Sequence, residues 1–201
     1  MKKLLYLFLT VLIVACSSED SNNQDNNDGD NNQSSCNGDN PVYLADNGVT
    51  IKACDFASVG DTGVVNGVTY TVVDEAMLRA MVANEEDVTT VVTTKVTNMS
   101  YILVGDNLDT LSYFNQDISS WDVSNVINMR GMFRNANAFN KPIGNWDTSN
   151  VTNMVEMFYY AISYNQDLSF WSVDGVTGCG QFSTDTPQWT LPQPNFTNCN
   201  P

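Results

Sequence analysis

From Phe114 onward the apolar residues return on a fixed beat. Phe114, Phe139 and Tyr164 are 25 residues apart, as are Trp121, Trp146 and Trp171. Ile118, Ile143 and Leu168 keep that step, and so do Val126, Val151 and Val176. The first two copies are gap-free, while the third frays toward Phe182. A repeat of this length predicts stacked supersecondary units, none able to bury its apolar face alone. Within one unit, Ile118, Trp121, Val123 and Val126 predict a short inward-facing strand. Met129, Met132, Phe133 and Ala136 follow at i, i+3, i+4 and i+7, the spacing of one face of a short helix. Val88, Val91 and Val96-Thr97-Asn98-Met99 align with Ile118, Trp121 and Val126-Ile127-Asn128-Met129. They predict an earlier, divergent unit, with Gly105 to Asp109 looped out as an insertion.

Upstream the alternation changes to that of hairpins. Val42-Tyr43-Leu44 and Val49-Thr50-Ile51 flank Asp46-Asn47-Gly48, and Val64-Val65 and Val68 to Val73 flank Asn66-Gly67. Asp74 then caps a predicted helix whose Leu78, Met81 and Val82 share a face. Residues 41–87 are expected to cap the open end of the repeat array, 88–182. Residues 183–201, with Pro187, Pro192 and Pro194, show no helical period. They are expected to lie extended over the last unit, with Trp189, Leu191 and Phe196 covering its core.

The I-x-x-W-x-V spacing is close to that of a leucine-rich repeat. The expected fold class is therefore α/β: a right-handed, leucine-rich-repeat-like solenoid of about 25-residue units, each a short parallel strand and a short helix, with N- and C-terminal caps. The phrase W-D-[VT]-S-N-V-x-N-M-x-x-M-F resembles the repeat of the BspA-like leucine-rich-repeat surface lipoproteins of bacteria. Trp121-Asp122-Val123-Ser124-Asn125-Val126 and Trp146-Asp147-Thr148-Ser149-Asn150-Val151 carry it in full. The third copy departs from it as Trp171-Ser172-Val173-Asp174-Gly175-Val176, with Cys179 where Met129 and Met154 stand. Members of that family are mostly cell-surface proteins, and some are adhesins for host or neighbouring-cell proteins. The resemblance implies a binding scaffold without naming a ligand.

Met1-Lys2-Lys3 and the apolar run Leu4 to Val14 read as a signal peptide, too short to span a membrane. Ile13-Val14-Ala15-Cys16 matches a lipobox, so residues 1–15 are expected to be removed and Cys16 lipidated. Ser17-Ser18-Glu19-Asp20 resembles the acidic signal that sends lipoproteins to the outer face in one Gram-negative lineage. An outer-membrane, surface-exposed lipoprotein is the expectation. Residues 17–40 hold no aliphatic, aromatic or basic residue, and 16–40 read as the lipidated cysteine and a disordered tether. A calcium loop around Asp25 to Asp30 fails, because Gln24 and Ser35 fall where carboxylates are required.

Four more cysteines, Cys36, Cys54, Cys179 and Cys199, allow three pairings in an exported chain. Proximity favours Cys36–Cys54 and Cys179–Cys199. Zinc is disfavoured, since the cysteines are scattered and the chain has no histidine. That absence also removes the commonest general base, and no phosphate- or dinucleotide-binding glycine loop is present. The densest carboxylate cluster, Glu85-Glu86-Asp87, reads as a solvated helix end. With 23 Asp and Glu against eight Lys and Arg, two of them Lys2 and Lys3, a nucleic-acid partner is not expected. Trp121, Trp146 and Trp171 are expected in the core rather than as a sugar-stacking ladder. The reading is a non-catalytic, monomeric surface protein without cofactor or metal, binding a protein ligand; the alternative is a lipoprotein that captures carbohydrate. Strand alternation puts Asp122, Ser124, Asp147, Ser149, Ser172 and Asp174 on the outer face as the candidate binding surface. Their carboxylates either accept hydrogen bonds within the repeat turns or form an acidic stripe for a basic partner or divalent ion.

Overall fold

The chain divides into residues 1–31 and 32–201, and the computed structural model describes Cys36, 38–104 and 112–201, all in the second unit. Cys16, the tether before Cys36 and the expected insertion at Gly105 lie outside the described residues.

Two antiparallel hairpins form where the turn signals stand. β1 (Val42–Leu44) pairs with β2 (Ile51–Ala53), and β3 (Thr62–Val65) pairs with β4 (Val68–Val72). Asn66 and Gly67 both take positive φ, 50° and 80°, the backbone that a two-residue hairpin loop demands. Asp74 accepts from the Met77 amide at 2.8 Å and caps α1 (Glu75–Ala83), which buries Leu78. β5 (Val91–Val92) adds parallel to β4, giving a three-stranded sheet ordered β3-β4-β5. β4 thus hands over from the N-terminal hairpins to the repeats.

The expected α/β leucine-rich-repeat solenoid is not what forms. Regular structure among the described residues is two small sheets and one short helix, α1; the divergent first unit supplies only the two-residue β5, and residues 112–182 contain neither helix nor named strand. Sheet-like pairing between the 25-residue units is limited to isolated parallel bridges, Asn98 to Asn128, Ser112 to Ala136, Asn128 to Asn153 and Asn153 to Gly178. Each unit is a chain of tight turns. Trp121 N–H donates to Ile118 O, Val126 to Val123, Met132 to Met129, Ala136 to Phe133 and Phe139 to Ala136. Two causes oppose a helix from Met129 to Ala136. Gly131 and Asn135 have left-handed backbones, with φ 58° and 57°, which a right-handed helix cannot contain. Alternate amides also leave the unit: Met129, Gly131, Phe133 and Asn135 donate to Asn153, Val155, Met157 and Tyr159 O of the next. An α-helix needs those amides for its own i−4 carbonyls.

Burial nevertheless follows the apolar beat. Ile118, Trp121, Val123, Val126, Met129, Met132, Phe133 and Ala136 are all buried, as are most of their equivalents in the next two units. Each large side chain so buried contributes about 1.5–3 kcal/mol. Aromatic rings stack from unit to unit: Phe114 on Phe139, Phe139 on Tyr164, Trp146 on Trp171. The C-terminal residues cover the last unit. Pro192 O accepts from Leu168 N–H, Trp189 is buried against Tyr164, and Phe196 packs edge-on against Phe182. Leu191, expected in that cover, is exposed instead.

Tyr164 stands where the two earlier units carry Phe, and its buried hydroxyl finds no partner among the described residues. Burial pushes its pKa well above the ordinary phenol value. The folded state therefore keeps the proton after an unfolded tyrosine, with its pKa of about 10, has begun to lose it. That stability is complete below about pH 10 and falls as pH rises beyond it. Tyr164→Phe is expected to raise the unfolding free energy by about 1 kcal/mol at neutral pH and to flatten the alkaline loss. Urea unfolding at neutral and alkaline pH checks both; a destabilised variant would mean the hydroxyl is bonded.

Candidate functional site

The polar residues of the repeat phrase join unit to unit. Each repeat tryptophan donates its indole N–H back to the preceding unit: Trp121 to Val88 O at 2.9 Å, Trp146 to Ile118 O at 3.3 Å, Trp171 to Ile143 O at 3.0 Å. Asn125 and Asn150 amides reach Thr94 O and Ser124 O, and Asn198 continues the series to Asp174 O. Asn98, Asn128 and Asn153 each accept from the amide two residues on, pinning the turn at each bridge. These contacts satisfy backbone groups that turns leave open.

The Asp-x-Ser steps are local locks as well. Asp122 Oδ1 accepts from Ser124 N and Oγ at 3.1 and 2.7 Å, and Asp147 Oδ1 from Ser149 N and Oγ at 3.1 and 2.6 Å. Asp167 repeats the arrangement with Ser169, whose backbone and side-chain bonds hold that carboxyl below the usual range. The third copy, with Ser172 and Asp174 exchanged in order, leaves both exposed. Turn bonding thus accounts for much of the expected acidic stripe. Among the described residues no cluster of acidic or cysteine side chains is arranged to hold a metal ion.

Asp122 is not on an open face; it is 2% exposed. The β1–β2 hairpin covers it. Ile51 N–H donates to Ser120 O at 2.9 Å, and Ala53 N–H donates to Thr94 Oγ1. Thr94 Oγ1 donates in turn to Asp122 Oδ2 at 2.7 Å. Lys52 Nζ lies 3.7 Å from Asp122 Oδ1 and 3.3 Å from Ser124 Oγ. A carboxylate withdrawn from water is tolerated only with such partners.

One unit on, Asp147 and Ser149 are exposed, and among the described residues no cation pairs with Asp147. Between this position and the hairpin lies a cleft of about 340 Å3, lined by Tyr43, Ala45, Asp46, Asn47, Thr50 and Lys52 on one side and Trp121, Asp122, Val123 and Asp147 on the other. It joins two of the candidate residues, Asp122 and Asp147, and leaves Ser124, Ser149, Ser172 and Asp174 outside its lining. Tyr43, Asp46 and Lys52 were not singled out by sequence reasoning. The signal was Lys52 itself, a cation in a hairpin strand of an acidic chain. Four of the few cations are already engaged: Lys52 with Asp122, Arg79 with Glu75, and Arg130 and Arg134 with Glu156.

Disulfides join Cys36 to Cys54 beside the hairpins and Cys179 to Cys199 at the C-terminal end. The molecule is thus a disulfide-closed repeat protein with a cleft where its leading hairpin meets the first two full units. The chain belongs to the family described as Mycoplasma protein of unknown function, DUF285, whose model matches residues 73–191, more than half of the chain. That segment opens directly after β4 and takes in α1 as well as the repeats. The β1–β2 hairpin, which supplies one wall of the cleft, precedes it. No curated protein and no solved structure matches the chain.

Proposed function

We propose that this is a non-catalytic surface protein, anchored by a lipid on Cys16, which receives a protein ligand in the cleft between the β1–β2 hairpin and the first two full units. The cleft carries the reading, because there exposed polar groups from two elements converge beyond the needs of the fold. Resemblance to BspA-like surface lipoproteins and the lipobox before Cys16 support the placement; no described helix is long and apolar enough to cross a membrane. The carbohydrate alternative loses its tryptophan ladder, since Trp121, Trp146 and Trp171 are buried.

Two variants of the full chain test this on cells. Cys16→Ser is expected to leave the membrane fraction, because nothing else in the tether partitions into lipid. Ala45→Trp places a large ring in the cleft and is expected to abolish retention of a purified protein ligand found by array screening, with an unchanged melting temperature. Ligand retention indifferent to Ala45→Trp would overturn the cleft as the site. Cys16→Ser remaining on the membrane would overturn the anchor.

A further inference from the structure

We infer that the cleft recognises an extended, basic segment of its protein partner, with a lysine or arginine side chain entering between Asp46 and Asp147. The inference rests on the cleft being the binding site and names the chemistry it would take.

The chain contains its own template. On the first full unit, strand β2 docks through one backbone bond, Ile51 N–H to Ser120 O, and one cation, Lys52, set against Asp122 and Ser124. There Ser124 Oγ donates to Asp122 Oδ1 and accepts from Lys52 Nζ. Twenty-five residues on, the same three positions are Asn145, Asp147 and Ser149. Ser149 Oγ again donates to Asp147 Oδ1, at 2.6 Å, which leaves its lone pairs and Asp147 Oδ2 for a donor. Among the described residues nothing donates to Asn145 O, and no cation pairs with Asp147. The second unit therefore repeats the receiving half of a docking that the first unit shows complete. The third does not, because Ser172 and Asp174 reverse the order of acid and hydroxyl.

The surroundings favour a cation there. The cleft holds Asp46, Asp122 and Asp147 against Lys52 alone, and Lys52 is committed to Asp122. A second ammonium or guanidinium group would meet Asp147 on the repeat side and Asp46 on the hairpin side, with the Tyr43 ring beside its methylene stem. The surface is continuous with the intramolecular interface it copies, and its charge complements a basic strand.

Capped peptides of sequence VTIKA, VTIQA and VTIEA, copied from the template strand with the lysine position varied, test this against the full chain by titration calorimetry. The lysine peptide is expected to bind at least about tenfold more tightly than the glutamine one at roughly 0.01 M salt, with the gap closing toward roughly 0.3 M. Asp147→Asn is expected to erase the preference, whereas Asp174→Asn, outside the cleft, leaves it. Equal binding of the lysine and glutamine peptides, or a preference surviving Asp147→Asn, overturns the inference. A ligand lost with Ala45→Trp but indifferent to Asp147→Asn and to salt, a glycan included, would keep the cleft and overturn its basic specificity. A ligand indifferent to Ala45→Trp would overturn both.

Discussion

Trp146→Ala is expected to lower the unfolding free energy by roughly 3–5 kcal/mol, the cost of a large-to-small change in a core that cannot collapse around it. Trp146 is 3% exposed and lies between neighbours on both sides, stacked at 6.2 Å on Trp171 and at 6.2 Å on Phe133. Its loss also removes the indole donor from the Ile118 carbonyl, which then keeps only the Trp121 amide. A domain of this size has roughly 5–15 kcal/mol to lose, so the variant should be near unfolding at physiological temperature. Trp189→Ala is the comparison. That ring caps the stack from one side, is 8% exposed, and its N–H has no partner among the described residues. It should cost clearly less. Denaturant midpoints of the two variants decide the matter, and an equal or larger loss at Trp189 would mean that the inter-unit clamp contributes little.

Replacing both Cys179 and Cys199 by Ala should cost roughly 3 kcal/mol, the loop-closure entropy released to the unfolded chain by a cross-link of this span. The bond encloses a separation of 20 residues and fastens the C-terminal strap over the last unit. Its effect should be local as well as global. Leu168 N–H depends on Pro192 O, while Thr190 and Leu191 N–H depend on Asn165 Oδ1. Hydrogen exchange at these three amides should accelerate by far more than at Met129 or Gly131, deep in the stack. The Cys36–Cys54 bond spans 18 residues at the other end, and its removal should leave the three amides as slow as before. Uniform acceleration across the chain would mean that the strap has no separate stability. Retained slow exchange at Leu168 would mean that Phe196 and the Asn198 bond hold it without the disulfide.

The apolar beat told which side chains are inside and misreported the backbone that puts them there. Ile118, Trp121, Val123, Val126, Met129, Met132 and Phe133 step by two, three or one, and a row of i→i+3 turns produces such spacings as readily as a strand followed by a helix. Gly131 and Asn135 hinted at left-handed backbone. Their equivalents Glu156 and Tyr160 gave no such hint, yet take φ of 58° and 56° because contacts to the adjoining units hold them. A Cβ at Gly131 itself would run into the Tyr101 ring. The hairpins were legible because Asn47-Gly48 and Asn66-Gly67 are local turn chemistry. The cleft was not, because it arises where two segments 72 residues apart meet, Lys52 with Ser124. Within the expected binding face, alternation assumed a strand that does not form, and it could not show that a hairpin would lie over Asp122, which is buried like Val123. It left Asp147 as the residue whose surroundings differ from those of its own repeat partner.

The direction of the inter-unit bonds sets a timetable for the nascent chain. Amides of Met129, Gly131, Phe133 and Asn135 find their acceptors only in the following unit, and the Ser124 carbonyl waits for Asn150. A ribosome adding roughly 5–20 residues per second delivers each missing 25-residue unit after roughly 1–5 seconds. Every unit thus spends that interval half bonded, with its newest edge open to whatever guards emerging polypeptide. Leu168 likewise waits for Pro192, so the edge of the last unit closes only once the strap that follows it has emerged.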